Sequence, residues 1–297
     1  MKKKLDLSGY IFILPSIVIL TISVFYPIIW SFIASFKEIK MVDLRKARLW
    51  EVPGEFVSFD NYLTALNDPL FIKAIGNTFR FAIVYIPIIL VFSIGIALLI
   101  NDKFRGVGAV RTIVFMPYII SIVSAGVIFM SLFRSDNGIV NATLNTLGIE
   151  GVAWLGDGKY AMAVIAIMSA WRKIGYFMLM FLSGLQTIPS ELYEAGDVDG
   201  TTYIQKFRYI IFPLLLKITS IVVILALVDV LKVFQEVYIM TGGGPDNSTI
   251  TLPFLIYNEA FSYLRLGNGA AISYILFTVT VIVVIVQNKV LKKKMDY

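Results

Sequence analysis

The chain has 297 residues, of which 58% are apolar and only 15% charged, well below the ~25% charged share of ordinary soluble domains. It contains no cysteine and no histidine, which removes disulfides, thiolate chemistry, the commonest metal ligand and the commonest general base. The net charge of +6 comes largely from lysines near the two ends, a membrane-anchor pattern and not a nucleic-acid one.

The mean hydropathy of +0.81 is concentrated in long uncharged runs, so the expected class is an all-α polytopic membrane protein with about six transmembrane helices. The first run covers 10–36, behind Lys2–Lys4. It is about twice as long as a signal-peptide core and no A-x-A site closes it, so it reads as a retained span. Next comes 37–76, an external loop with six basic and six acidic residues between Lys37 and Lys73. Its Trp50, Phe56, Phe59 and Tyr62 suffice for a small packed cap. Further spans are expected at 77–100, 111–133, 160–185, 213–234 and 269–288, with Pro15, Pro27, Pro87 and Pro117 tolerated inside spans.

Lysine and arginine set the orientation. Lys2–Lys4 at one end, Lys289 and Lys292–Lys294 at the other, Lys103, Arg105 and Arg111 after the second span, and Lys206, Arg208 and Lys217 at the loop leading into the fifth place these segments in the cytoplasm. Both termini are then cytoplasmic, which requires an even number of spans. No internal repeat, low-complexity tract or linker interrupts the chain, so 1–297 reads as a single transmembrane domain.

The segment 186–212 is the most informative. Glu194-Ala195-Gly196-Asp197-Val198-Asp199-Gly200 is followed after nine residues by Ile210-Ile211-Phe212-Pro213. Ser190 is placed to cap a helix starting at Glu191, whose acids suit the positive end of the helix dipole. Ala195 and Gly196 keep that helix flat enough for a partner's backbone. Gly200 ends it in the left-handed conformation, Thr201 or Thr202 caps a second helix, and Pro213 opens the fifth span. A plain surface turn would need none of this spacing.

The same residues resemble the EAA loop of permease subunits from binding-protein-dependent ABC importers, with Gly196 in place of a second alanine and Phe212 in place of a leucine before Pro213. Trp154-Leu155-Gly156-Asp157, Trp171 with Gly175, and Leu185-Gln186-x-Ile188-Pro189 also look like this family. So does Thr241-Gly242-Gly243-Gly244-Pro245 with Thr249, Tyr257 and Ala260-Phe261, which is similar to the first permease of maltose and glycerol-phosphate importers.

The resemblance implies a type I ABC importer permease in a prokaryotic inner membrane, carrying a carbohydrate, polyol or sugar derivative. It implies a second, different permease, two ATPase subunits holding ATP and Mg, an extracellular solute-binding protein and surrounding lipid as partners. On this chain it implies no cofactor, no metal and no catalytic residue. Glu194, Ala195, Gly196, Gly200, Ile210 and Pro213 become the ATPase-coupling residues. Gly76, Asn77 and Arg80 become either contacts for the docked binding protein or a helix cap. Neither Gly158-Lys159 nor the triple glycine has the Lys-Ser/Thr setting of a phosphate-binding loop.

Within the spans, Trp171, Arg172, Asp229, Lys232, Gln235 and Glu236 are candidates for a polar translocation path. An ionisable group in hydrocarbon costs about 2.5–3.5 kcal/mol on insertion scales and normally faces a bundle interior or water. Asp229, Lys232 and Glu236 fall on one stripe of a continuous helix at i, i+3, i+7. The other reading is a self-neutralising structural pair or snorkelling at an interface. A gradient-driven secondary transporter for a polar solute is the rival function, although it predicts two related halves with broken spans.

Overall fold

The computed structural model describes residues 8–48, 50–101 and 104–295. The expected anchors Lys2–Lys4 and Lys103 lie outside them, as do the side chains of Lys292–Lys294. The helices in chain order are α1 (Ser8–Leu20), α2 (Tyr26–Ala34), α3 (Met41–Lys46), α4 (Asp60–Asn67), α5 (Pro69–Leu99), α6 (Val107–Ile119), α7 (Ile122–Leu132) and α8 (Ile139–Thr146). They continue with α9 (Gly158–Leu185), α10 (Ser190–Val198), α11 (Tyr203–Lys206), α12 (Phe212–Leu231), α13 (Gln235–Met240), α14 (Leu252–Tyr257) and α15 (Leu266–Met295). Strands β1 (Lys37–Glu38) and β2 (Glu55–Phe56) pair antiparallel.

Among the described residues five helical runs are long and apolar enough to cross a bilayer: Phe12–Ala34, Pro69–Leu99, Gly158–Leu185, Tyr203–Leu231 and Leu266–Gln287. The third expected span is different. It is a broken pair, α6 and α7, bent by 97°. Pro117 removes one backbone donor near the end of α6, Ile120 turns extended, and the carbonyl of Ser121 restarts the ladder by accepting from Ala125 N–H at 2.9 Å. Hydropathy averages over such a break and cannot report it.

Two other runs stay continuous across a proline by widening one turn. Thr21–Phe25 precedes Pro27 and Phe207–Ile211 precedes Pro213, each as a π turn. The wider turn spares the proline ring its clash with the carbonyl four residues back.

The chain forms two compact units. The first comprises Met1–Phe71 and Leu255–Phe277. Along its Phe12–Ala34 run the apolar side chains face outward, as lipid contact requires, and only the terminal Ala34 is buried. The polar segment after that run folds on itself. Asn61 Nδ2 donates to the carbonyls of Ser35 (2.9 Å) and Lys37 (3.0 Å). Phe36 lies against both Phe59 and Tyr62, and Trp50 meets Tyr26 edge-on. Gly54, at φ +97°, has no room for a side chain, because a Cβ would sit 2.3 Å from the Glu38 carbonyl. Glu259 is buried and neutralised locally, by Asn268 Nδ2 at 2.7 Å and Arg265 Nε at 3.3 Å.

The second unit comprises Ile72–Phe254 and Thr278–Tyr297 and is organised around α9. Within its apolar window 56% of α9 is buried, against 22% for Pro69–Leu99 and 22% for Tyr203–Leu231. Small residues let neighbours approach it closely. At Gly175 a Cβ would lie 2.3 Å from the Val114 carbonyl of α6, and at Gly184 one would lie 2.8 Å from Ile218 Cγ1 of α12. Tyr85, Phe81, Phe177, Phe181 and Met168 fill the core between these helices.

Candidate functional site: a charged cavity and a two-helix loop

A cavity of about 580 Å³ in the second unit is lined from two helix breaks. The first break is at Ile120–Ser121. The second lies between α12 and α13, because α12 ends at Leu231 and α13 begins at Gln235. The expected single stripe of Asp229, Lys232 and Glu236 is therefore incorrect: one residue is on α12, one in the break and one on α13. All three still line the cavity, joined by Arg172 and Gln235. Trp171 is not among the lining side chains; it packs on Phe129 of α7 at 5.4 Å.

Unwound backbone at membrane depth is tolerated only where its polar groups find partners. Arg172 Nη2 donates to the carbonyl of Ile120 at 3.1 Å, and the buried hydroxyl of Thr251 donates to the carbonyl of Val233 at 2.7 Å. Each break thus has its own side-chain donor. Arg172 Nε is buried without a hydrogen-bond partner.

Of the rest of the lining, Lys173 stands beside Arg172 in the sequence, as a second charge of the fourth span, whereas Tyr85 and Tyr118 were not evident from sequence. Lys173 Nζ pairs with Asp229 Oδ1 at 3.1 Å, and the hydroxyl of Tyr85 donates to Asp229 Oδ2 at 3.0 Å. Tyr85 stacks on Phe81, and Tyr118 stacks on Tyr176. An aromatic hydroxyl in the middle of an otherwise apolar run such as α5 is the signal that could have found Tyr85, since a buried phenol needs a partner. The cavity offers ammonium, guanidinium, carboxylate and amide groups beside flat aromatic rings. This is the equipment for binding a solute with many hydroxyls and apolar C–H faces.

The second candidate element is α10, its turn and α11. Pro189, not Ser190, is the N-cap of α10, and no side chain caps that end. The C-terminus is closed by two backbone bonds: Thr201 N–H to the Gly196 carbonyl at 3.0 Å and Gly200 N–H to the Asp197 carbonyl at 3.1 Å. This is a Schellman motif, and Gly200 has the left-handed φ of +68° that it needs. Thr202 then caps α11 in a reciprocal box, its own N–H donating to Gln205 Oε1 at 2.7 Å. Lys206 Nζ pairs with Asp197, tying α11 to α10.

Glu194 and Ala195 are exposed, whereas Gly196 is buried, which corrects its expected place on the open face. A Cβ on Gly196 would lie 3.0 Å from Thr201 Oγ1 and 3.2 Å from Ile210 Cδ1. Gly196 and Ile210, distant in the motif, are therefore packing partners inside the loop. Pro213 lies one residue inside α12, directly after the π turn.

The triple-glycine block is neither a loose turn nor accessible through Asn77. Gly242 and Gly243 are left-handed, at φ +57° and +88°. Thr249 Oγ1 donates to the Gly244 carbonyl at 2.8 Å. Asn77, only 2% exposed, donates to the carbonyls of Asn247 (3.0 Å) and Ile250 (2.9 Å). Asn77 is thus a buried clamp within α5 and not a surface contact, because burial with two satisfied donors leaves nothing for an outside partner.

Comparison with known proteins agrees with this architecture. Residues 62–297 match the family described as binding-protein-dependent transport system inner membrane component. The sulfoquinovosyl glycerol transport system permease of Agrobacterium fabrum is 33% identical, over 97% of this chain and 91% of its own length. The lactose transport system permease of Rhizobium radiobacter is also 33% identical, over 93% and 91%. The arabinooligosaccharides transport system permease of Bacillus subtilis is 31% identical, over 95% and 88%. Among solved structures, a chain of a bacterial ABC transporter involved in import of the acidic polysaccharide alginate shares the fold, with a TM-score of 0.81 at 23% identity over 96% of this chain and 94% of that one. By sequence match and fold together, the chain belongs to the binding-protein-dependent transport family and is a multi-span permease subunit of an ABC importer.

Proposed function

We propose that this permease moves a carbohydrate or related polyol inward through the Arg172–Asp229 cavity by alternating access. The observation that carries the reading is the cavity itself, a polar and aromatic chamber lined from two helix breaks. The relatives cited above are named for carbohydrate solutes, which agrees with such a lining. Lys173, Asp229, Lys232, Gln235 and Glu236 offer hydrogen bonds to hydroxyls, while the buried Tyr85 positions Asp229 and Arg172 holds the first break in shape. Trp171 buttresses the wall through Phe129 and does not touch the solute.

The chain works beside a second, different permease, two ATPase subunits that bind ATP with Mg, and a binding protein that delivers the solute. Both termini face the cytoplasm, in line with the lysine distribution. Glu194 and Ala195 supply the open face of the docking helix. Gly196 and Ile210 hold its two helices together, Gly200 supplies the turn, and Pro213 follows the widened turn into the span. Around them Val198 is 88% and Ile204 75% exposed. Apolar side chains this exposed on a polar loop mark a contact surface. ATP closes the ATPase dimer, the docked loops converge, and the pore turns outward; hydrolysis returns it inward.

Purification from native membranes in mild detergent, with subunit stoichiometry determined, tests this reading. Two ATPase copies and one different permease per chain, with uptake of a labelled oligosaccharide that stops when ATP is depleted, is the expected result. A lone chain whose uptake collapses with the proton or sodium gradient would overturn it in favour of secondary transport.

A further inference from the structure

A second cleft, of about 680 Å³, opens between the first turns of α9, the upper part of α5 and the Pro245–Ser248 turn. All of its lining belongs to the second unit. Its composition changes along the helix axes. Lys73, Arg80 and Lys159 ring the end where α5 and α9 begin, and Ile83, Val84, Met162 and Ala163 form the other end. At 1.5 Å of rise per residue, the polar and apolar layers are separated by about 5–15 Å. Unlike the first cavity it offers no aromatic ring for a sugar among the described residues; it has a cationic mouth and an aliphatic floor.

The mouth holds three cations against one carboxylate, Asp246. Lys73 Nζ donates to the backbone carbonyl of Asp246, and Lys159 Nζ lies 5.0 Å from the Tyr160 ring centroid. Arg80 is exposed and makes no ion pair among the described residues. Ser248 Oγ is buried in the same mouth with no hydrogen-bond partner. Gly158, the first residue of the 28-residue α9, meets it closely, since a Cβ there would lie 2.7 Å from Ser248 Cβ. The nearby carboxylate of Asp157 is already engaged, accepting from Lys159 N–H at 2.8 Å. Below the mouth Ile83 is 57% exposed, so the apolar floor opens toward the side of the bundle.

We infer that this cleft binds one anionic phospholipid, its phosphate held by Arg80, Lys159, Lys73 and the Ser248 hydroxyl and one acyl chain lying over Ile83, Val84 and Ala163. Charge-assisted donors suit the phosphate oxygens. Basic clefts between membrane helices are a recurrent setting for acidic headgroups. The site is independent of which solute is transported.

The test uses the full chain purified in mild detergent with equal amounts of phosphatidylglycerol and phosphatidylcholine of identical acyl chains, read by native mass spectrometry. One phosphatidylglycerol should be retained per chain, preferred at least tenfold over phosphatidylcholine. R80Q/K159Q should lose that retention at least fivefold with unchanged elution and melting behaviour. A163F, which fills the floor without altering charge, should lose it as well, and R80K/K159R should keep it. Should R80Q/K159Q fail to fold, A163F and R80K/K159R decide between them. Equal retention of both lipids, undiminished retention in A163F, or displacement by inorganic phosphate or an acidic oligosaccharide at millimolar concentration would overturn the lipid assignment.

Discussion

Two glycine-bearing turns of the second unit reverse the chain between helices, and they do so in opposite ways. The turn at Gly200 is held from within the loop, by its own backbone, one threonine cap and the Lys206–Asp197 pair, and it leaves Val198 and Ile204 in the open. The turn at Gly242–Gly244 has backbone bonds of its own, Gly242 N–H to the Val237 carbonyl at 2.9 Å among them, but the segment that follows is tied to other elements and packed away: Thr249 and Thr251 are fully buried and Ile250 is 1% exposed. The first needs little from the rest of the protein to keep its shape, so its surface is free for a partner. The second has spent its polar groups on α5 and on the break at Val233, so it serves the architecture. Glycine content alone does not distinguish a docking element from a structural one; where the hydrogen bonds go does.

This contrast is sharpest at Gly200. Replacing Gly200 with Val forces a β-branched residue to φ +68°, a conformation it strongly disfavours. Uptake should fall more than tenfold while ATP hydrolysis, membrane insertion and capture of the solute by the binding protein persist. Normal uptake in that variant would remove the loop from the coupling mechanism.

The buried turn should respond in stability instead. Asn77→Leu strands two carbonyls, those of Asn247 and Ile250, each costing about 1–3 kcal/mol when buried and unpaired. A clear drop in the detergent melting temperature is expected, with lost activity following lost fold. Thr249→Val removes the donor to the Gly244 carbonyl and should cost less, about 1–3 kcal/mol, read in the same melt. If it instead uncoupled hydrolysis from uptake at unchanged stability, the division between the two turns would fail. The smallest effect is expected for Thr202→Ala, which loses the α11 cap at about 1 kcal/mol. Uptake should change by no more than a few-fold, because a docked partner can reorder so short a helix.

What the sequence made legible follows the range of the interaction involved. Gly200, the Thr202 cap and the turn between α10 and α11 are decided within six residues, so spacing and residue type suffice. The inward face of Gly196 depends on Ile210 and Lys206, and Asn77 depends on carbonyls 170 residues away; no local pattern contains either. The two broken helices were hidden for another reason. Hydropathy sums side chains and is silent on whether the backbone ladder continues, so Ile120–Ser121 and Lys232–Phe234 read as spans. Their nearest local hints were Pro117 ahead of Ser121, and the closely spaced Asp229, Lys232, Gln235 and Glu236 at the end of an apolar run.

The widened turn at Phe207–Ile211 has a consequence for angular phase. The run from Tyr203 to Leu231 is 29 residues long, about 43 Å at 1.5 Å per residue, and it carries Asp229 near its far end. A π turn accommodates one residue more than an α turn, so a single deletion within Phe207–Ile211 removes that extra residue and leaves Asp229 aimed at Lys173, at the cost of returning the Pro213 ring toward the carbonyl four residues back. The same deletion between Pro213 and Val228 has no such slack. It swings Asp229 by about 100° around the helix, away from Lys173 and Tyr85, so the aim of that carboxylate is set by a count of residues that begins at the loop.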